Sequence, residues 1–259
     1  MGKVEKSRAD DLVMRAGLAE SRTKAQALIM AGEVLVWKNE KWIALAKSGH
    51  AFPDDTLFKL KNDGPQDVGR GAQKLRGAFE RWPELDEVAK NSVAIDVGSS
   101  TGGFTQVMLE KGAVRVAAVD VGTHQLHERL RSDKRVLSLE QTHILKVDEA
   151  FWADKISLPF DFAVMDVSFI SVTRIIGHVS AWLRPGAPWI VLLKPQFELE
   201  RKLLKKGIVK EEGHRLLALE KLKSFLAELG QFDLIDYMDS PIAGGDGNLE
   251  YLVYLKRRL

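Results

Sequence analysis

The sequence contains no cysteine. That absence excludes disulfide bonds, thiolate zinc sites, iron–sulfur clusters and catalysis through a cysteine nucleophile. Nucleic-acid chemistry that needs a covalent cysteine adduct to a base is excluded with them. A chain without cysteine is compatible with a reducing compartment, and we expect this protein to be cytoplasmic.

The chain also lacks a long apolar segment and an excess of either charge. Its longest apolar run, Ala187–Leu193, is far shorter than the roughly 18 residues of a membrane span. The first residues are polar, so we expect no signal peptide and no stable membrane association. Lys and Arg number 38 against 36 Asp and Glu, which leaves no strong overall field toward nucleic acid or membrane. A hydrophobic content of 45% over 259 residues is typical of a globular chain of one large or two unequal domains.

The first sixty residues read as a small α+β unit. Apolar spacing predicts a short helix over Arg8–Ala16 and a second over Arg22–Ala31, with Ser21 as the N-cap of the second. Short strands are predicted at Val34–Trp37 and Leu57–Leu60. We therefore predict a domain over residues 1–62.

A segment rich in turn-forming residues, 63–69, is interpreted as a linker to a second domain over 70–259. In that domain strands alternate with helices. This alternation predicts a doubly wound, Rossmann-like α/β sheet with helices on both faces. The predicted strands are Ser92–Val97, Val114–Val119, Arg135–Leu139, Phe160–Met165, Trp189–Leu193, Phe232–Met238 and Leu249–Leu255, and the predicted helices are Gly102–Lys111, 124–131, 171–183 and His214–Leu229.

A turn of small residues, Asp96–Phe104, joins the first of these strands to its helix. Gly98 permits a tight turn and close backbone approach, and the helix start offers free N–H groups. The spacing D-x-G-x-x-x-G-G differs from the nicotinamide fingerprint, and no P-loop lysine follows. Asp96 would repel a pyrophosphate but suits the ammonium group of a methionine moiety, so the turn favours S-adenosylmethionine. The glycine spacing alone would also fit an ordinary tight turn.

Four further motifs stand around this turn in a fixed order. They are Val68-Gly-Arg-Gly-Ala-Gln-Lys-Leu75, Val164-Met-Asp-Val-Ser-Phe-Ile170, Leu192-Leu-Lys-Pro-Gln-Phe-Glu198 and Gly247-Asn-Leu-Glu-Tyr-Leu252. This set resembles the TlyA family of haemolysin-like ribosomal RNA 2′-O-methyltransferases, whose catalytic domain is similar to the FtsJ type. The segment Gly17–Val36 looks like an S4 RNA-binding domain, so the resemblance covers nearly the whole chain.

The resemblance implies the catalytic and cofactor-binding residues. The Lys-Asp-Lys-Glu tetrad of the FtsJ type corresponds by motif to Lys74, Asp166, Lys194 and Glu250. Contacts to S-adenosylmethionine would come from Asp96, Gly98, Ser99, Ser100, Thr101, Gly102, Gly103 and Phe104, with Asp120 on the ribose and Thr142 near the adenine. No metal is implied.

Elementary chemistry agrees with the tetrad. Asp166 and Lys194 follow two predicted parallel strands, at the end where open α/β sheets bind their ligands. Methyl transfer to a ribose hydroxyl requires alignment of donor and acceptor and help with loss of the hydroxyl proton. Asp166 would hold the Lys194 ammonium in place. Lys194 could then act as the base or stabilise the developing alkoxide, and the sequence leaves both open.

The expected partner is ribosomal RNA or a ribosomal subunit. The family acts on cytidines, and the phosphate-contacting residues of the small domain are predicted to be Arg8, Arg15, Arg22 and Lys24. Trp37 or Trp42 could stack on a base. Two alternatives stay open at this point: a non-catalytic factor that binds ribosomal RNA, and a membrane-lytic protein of the kind the haemolysin label suggests. The oligomeric state is not predicted.

Overall fold

A computed structural model of the protein describes residues 6–61 and 67–259. The chain forms two compact units whose boundary falls after residue 66. Within the predicted linker, residues 63–66 lie outside the described residues. The backbone N–H of Val68 donates to the side-chain oxygen of Gln106 at 2.8 Å, and Asp67 pairs with Arg76 at 2.9 Å. The end of the predicted linker is therefore fixed to the second unit.

The first unit packs two helices on short antiparallel strands. The Ser21 hydroxyl accepts from the Lys24 backbone N–H at 3.2 Å, which confirms the predicted N-cap. Ala9, Val13, Ala25 and Ile29 form its buried core with residues of the second strand. The elements are β1 (Lys6–Arg8), α1 (Ala9–Arg15), α2 (Arg22–Met30), β2 (Val34–Lys38), β3 (Lys41–Ala44), β4 (Ala51–Pro53) and β5 (Phe58–Leu60).

The second unit begins with a helix that the sequence pattern did not predict. Its described elements are α3 (Gly71–Arg81), α4 (Leu85–Ala89), β6 (Val93–Val97), α5 (Gly103–Glu110), β7 (Arg115–Val119), α6 (Glu128–Arg131), β8 (Val136–Leu139), α7 (Glu149–Trp152), β9 (Phe162–Met165), α8 (Thr173–Val179), β10 (Pro188–Leu193), α9 (Pro195–Glu198), α10 (Glu212–Leu229), β11 (Phe232–Asp239) and β12 (Tyr251–Arg257). Short 3-10 turns follow β8, α8 and α9.

The strands of this unit form one seven-stranded sheet in the order β11-β12-β10-β9-β6-β7-β8. From β10 to β8 neighbouring strands are parallel, whereas β12 is antiparallel to both β10 and β11. Two hydrophobic clusters cover the two faces: Ile95 and Val97 belong to one, and Ala94 to the other. The predicted doubly wound α/β fold is confirmed, with an antiparallel pair at one edge.

The helix predicted over 124–131 was too long, because only Glu128–Arg131 is helical. The backbone N–H groups of His124, Gln125 and Leu126 donate to the Glu140 carboxylate at 2.7–3.0 Å instead of to carbonyls of a helix. These bonds lower the pKa of Glu140. The Glu140 carboxylate, directly after β8, thus accepts the backbone hydrogen bonds of residues 124–126, and this segment does not form a helical turn.

None of the helices in the two described stretches combines the length and apolar character that a membrane crossing requires.

Candidate active site

The candidate site lies at the carboxyl edge of the parallel strands. Gly98 follows β6, Asp120 follows β7, Asp166 follows β9 and Lys194 follows β10. Glu250 directly precedes the antiparallel β12, whose first residue pairs with the last residue of β10. The sheet topology therefore brings residues from five separate segments of the chain to one edge, where open α/β sheets bind ligands.

The glycine turn after β6 approaches the neighbouring strand closely. Gly98 has φ +83°, and a side chain there would place Cβ 2.5 Å from the Asp166 carbonyl oxygen. Glycine is required at this position by both the backbone conformation and the space. Gly102 (φ +95°) faces the Leu126 and Leu130 side chains, so its role in this structure is packing of the turn against the segment before β8.

Asp120 ties the turn to the next strand. Its carboxylate accepts from the backbone N–H of Ser100 at 2.8 Å and from that of Gly122 at 2.7 Å. Each carboxylate oxygen keeps a second lone pair that could accept from a ligand hydroxyl. Thr142 lines the same cavity as Asp120, and its contact with the adenine stays a prediction.

Cavities flank the turn on both sides. One of about 610 Å³ is lined by Asp120, Thr142 and Phe169, and one of about 320 Å³ by Lys74. Both contain Gly98, Ser100 and Asp166, whereas Ser99, Thr101, Gly103 and Phe104 line the smaller one. The sizes suit a nucleoside cofactor, and eight of the ten predicted cofactor residues line them. The residues present therefore fit S-adenosylmethionine.

The four tetrad residues form two ion pairs. The Lys74 ammonium lies 2.6 Å from a Glu250 carboxylate oxygen, and both side chains are buried. The Lys194 ammonium lies 2.6 Å from Asp166 Oδ1 and donates to the Ser168 hydroxyl at 2.9 Å. Lys74 and Asp166 line the cavity of about 320 Å³ described above. Lys194 and Glu250 line a third cavity, of about 430 Å³.

Lys74 lies on a helix that the sequence pattern did not predict. Lys74 lies in the first turn of α3, and this helix packs against α5 behind the glycine turn. Gly103 sits so close to the α3 backbone that a side chain there would place Cβ 2.6 Å from the Ala72 nitrogen. A rigid helix therefore aims the Lys74 side chain at Glu250.

Sequence reasoning missed Phe169. Its side chain is 91% exposed, its backbone has φ +67°, and its ring lies 5.2 Å from that of Phe197. A positive φ is unusual for a bulky residue and is often found at functional sites. The signal available in the sequence was an aromatic residue three positions after Asp166, at a strand end where polar side chains prevail.

Asp96 lies beneath the turn and lines neither cofactor cavity. It is fully buried, and one carboxylate oxygen accepts from the Thr105 hydroxyl at 2.6 Å. Its other oxygen has no partner among the described residues. Burial raises the pKa of Asp96 to about 7, with the nearby carboxylate of Asp166 adding to the shift.

We expect cofactor binding to be linked to the Asp96 proton. A cation bound above the turn favours ionised Asp96 and lowers its pKa, so binding near pH 6.5 releases a proton. Affinity for S-adenosylmethionine should then rise roughly three- to tenfold from pH 6 to 7.5. Isothermal titration calorimetry in buffers of different ionisation enthalpy measures both effects. The Asp96→Asn variant should lose them; equal proton release by this variant would assign the linkage to another group.

Three of the four predicted RNA-contacting cations are held by carboxylates. Arg8 pairs with Asp10 at 2.8 Å and Arg22 with Asp10 at 3.3 Å, and these guanidiniums are about half exposed. The Arg8 guanidinium holds the pKa of the buried Asp10 carboxyl well below its usual range. Arg15 lies 3.6 Å from Asp54, whereas no ion pair of Lys24 occurs in the described part of the chain. All four residues belong to the first unit, and ion pairing leaves less unpaired positive charge there than four free cations would carry.

The sheet order, the glycine turn and the carboxyl-edge site define the class: the fold is that of the S-adenosylmethionine-dependent methyltransferases. The FtsJ-like methyltransferase family model matches residues 68–257, and the S4 domain model matches residues 7–36. The chain belongs to the FtsJ-like methyltransferase family, as its motifs predicted, and the expected cofactor is confirmed as that of the class.

Similar proteins span nearly the whole chain. A Bacillus subtilis protein provisionally named rRNA methyltransferase YqxC is 40% identical, with 97% of this chain and 86% of that protein covered. The Mycobacterium tuberculosis protein named 16S/23S rRNA (cytidine-2′-O)-methyltransferase TlyA is 33% identical over 97% of this chain and 90% of its own length. A solved structure of a haemolysin-like protein from Streptococcus thermophilus is 38% identical, with a TM-score of 0.69 over 99% of this chain and 90% of that one.

Proposed function

We propose that this protein transfers a methyl group from S-adenosylmethionine to the ribose 2′-hydroxyl of cytidine in ribosomal RNA. One observation carries the proposal: two lysine–carboxylate pairs, Lys194–Asp166 and Lys74–Glu250, meet beside the glycine turn. The name of the Mycobacterium tuberculosis relative supports the cytidine ribose as acceptor. The proposed domains are residues 1–62 and 70–259, joined by a linker whose last residues, from Asp67, pack on the second domain. The proposed compartment is the cytoplasm.

The proposed division of labour follows the geometry. The bound cofactor supplies an electrophilic methyl group on a sulfonium. The Lys194 ammonium is paired with Asp166 at 2.6 Å and donates one hydrogen bond to Ser168, and a remaining N–H would donate to the acceptor oxygen. This donor would stabilise the negative charge that develops on the acceptor oxygen as its proton passes to solvent water. The O–CH3 bond would form as the S–CH3 bond of the sulfonium breaks, and S-adenosylhomocysteine would be the leaving group. The buried Lys74–Glu250 pair lies beside the same space and orients the ribose.

The acceptor nucleotide would be held by Phe169. The ring is exposed beside Ser168 and Lys194, and it lies at the junction of the cofactor cavity and the Lys194 cavity. A base turned out of its stack could lie on this ring with its ribose near Lys194. The strained backbone of Phe169 is then part of how the ring is presented.

Transfer of labelled methyl to unmodified ribosomal subunits, naked rRNA and DNA tests the function. We expect label in RNA and none in DNA, because DNA has no 2′-hydroxyl. Phe169→Ala should lower transfer more than tenfold while cofactor affinity stays unchanged. Cofactor binding without label on any ribosomal substrate would exclude ribosomal RNA as the acceptor. Absence of cofactor binding would leave the protein as an RNA-binding factor.

A further inference from the structure

Two neighbouring segments of the second unit carry Lys194 and its partners. Asp166 and Ser168 lie in the segment that follows β9, and Lys194 lies in the segment that follows β10. The parallel pairing of these two strands ends at Met165 and Val191. Beyond that end, the two segments are joined through side chains, beginning with the contacts of the Lys194 ammonium to Asp166 and Ser168.

Glu198 provides a second link between the same two segments. It is the last residue of α9, the short helix that begins directly after Lys194. One of its carboxylate oxygens accepts from the Ser171 hydroxyl at 2.5 Å, and the other accepts from the Val172 backbone N–H at 2.9 Å. The segments after β9 and β10 are therefore held together at two places, once at Lys194 and once at Glu198.

The hydrogen bonds of Glu198 matter more than its charge. Partial burial raises the pKa of the Glu198 carboxyl, because the loss of hydration outweighs the two hydrogen bonds and the positive charge of Lys221. A carboxyl that ionises less readily in the folded chain than in water gains no net stability from its charge. Glu198 also lines none of the three cavities described above, so a part in the reaction would be indirect.

The stretch of backbone that Glu198 holds is strained. Phe169 lies between Ser168 and Ser171 and has φ +67°, which is unfavourable for a bulky residue. Such a conformation persists only where the surrounding contacts fix it. Strand β9 fixes one end of this stretch, and the hydrogen bonds to Glu198 fix the other end at Ser171 and Val172.

We propose that Glu198 is a positioning residue of methyl transfer, which fixes the segment after β9 so that the two partners of Lys194 hold its ammonium at the acceptor oxygen. The inference rests on the proposed function, because it concerns the alignment of Lys194 for that reaction. The expected effect is large, since a displacement of about 1 Å at the reacting groups can lower a rate by about 10²-fold.

Two substitutions at position 198 separate the hydrogen bonds from the charge. Glu198→Leu has a similar size but accepts neither bond, and we expect single-turnover transfer to ribosomal subunits to fall about 10- to 100-fold. Glu198→Gln removes the charge, but its amide can accept from the Val172 N–H and donate to the Ser171 hydroxyl oxygen. Transfer by Glu198→Gln should therefore stay within about threefold of the wild type. Equal losses in the two variants would overturn the inference, because they would assign the effect to the charge.

Glu200→Leu is the matched control for these variants. Glu200 is an exposed carboxylate two residues further along the chain, and it pairs with Lys202. Because an exposed ion pair contributes little, its removal should leave transfer within about threefold of the wild type. A loss as large as that of Glu198→Leu would overturn the inference, since any change in this segment would then have the same effect.

A cycle with Lys194→Ala distinguishes positioning of Lys194 from a general loss of structure. If Glu198 acts through Lys194, Glu198→Leu should lower transfer by less than about threefold in a chain that already carries Lys194→Ala. Calorimetric titration of Glu198→Leu should show that its affinity for S-adenosylmethionine changes by less than about threefold. The inference would be overturned by a loss in the double variant as large as in the wild-type background. It would also be overturned by a loss of cofactor affinity that matches the loss of transfer.

Amide hydrogen exchange tests the link without an assay of transfer. In Glu198→Leu we expect faster exchange in a peptide that covers residues 166–172, whereas Glu198→Gln should keep the protection of the wild type. Wild-type exchange in β6 of both variants would show that the sheet is intact. Unchanged protection of residues 166–172 in Glu198→Leu would overturn the inference. Methyl transfer by the wild type is measured in parallel: its absence together with faster exchange in Glu198→Leu would contradict the proposed function only.

Discussion

Lys194→Ala is expected to lower the rate of methyl transfer by about 10²- to 10⁴-fold. Loss of a donor to a developing oxyanion and loss of a positioned proton-transfer group each have effects of this size. Cofactor affinity should change less than threefold, because Lys194 lies with Glu250 in the third cavity and lines neither cofactor cavity. Single-turnover transfer and calorimetric titration with S-adenosylmethionine measure the two quantities separately.

Two matched variants make the Lys194 result specific. Lys202 is an exposed lysine that follows Lys194 in the chain and pairs with Glu200. Lys202→Ala should leave the rate of methyl transfer within about threefold of the wild type. Lys194→Arg keeps the charge but cannot accept a proton. Measurable transfer by the Arg variant would support stabilisation of the alkoxide over proton abstraction. More than a tenth of normal turnover in Lys194→Ala would remove Lys194 from the centre of the mechanism.

The buried Lys74–Glu250 pair is expected to affect stability and transfer in different ways. Glu250→Leu leaves the Lys74 ammonium buried without its partner and should lower the free energy of unfolding by about 3–5 kcal/mol. The double variant with Lys74→Met replaces the pair by apolar groups and should recover most of that loss. If the Lys74–Glu250 pair orients the ribose, the rate of methyl transfer should stay at least about 10²-fold below that of the wild type in Glu250→Leu and in the double variant.

Chemical denaturation and single-turnover assays on the two single variants and the double variant complete a thermodynamic cycle. Recovery of stability without recovery of transfer assigns the pair a role in the reaction. If transfer returned with stability in the double variant, the pair would be structural only.

The sequence predicted best those site residues that directly follow a strand, because runs of apolar residues reveal where the strands lie. Buried apolar runs located β6, β7, β9 and β10, and parallel pairing then placed Asp120, Asp166 and Lys194 at a common edge. The pairing of Asp166 with Lys194 followed from neighbouring strands. These features are local in sequence or fixed by the topology of a doubly wound sheet.

The missed features depend on contacts distant in sequence. Glu140 satisfies backbone groups of residues 124–126, which no helical periodicity reveals. Asp10 pairs with Arg22 across two helices, so counting cations overestimated the free positive charge of the first unit. Phe169 is exposed and has a left-handed backbone, and its motif predicted neither feature.

Nucleoside analysis of the methylated RNA tests the account most directly. Ribosomal subunits from cells that lack this modification are incubated with the protein and S-adenosylmethionine, and the digested RNA is examined by mass spectrometry. The account predicts new 2′-O-methylcytidine that disappears with Lys194→Ala. A methyl group on a base, or an equal yield of 2′-O-methylcytidine from the Lys194→Ala variant, would contradict it.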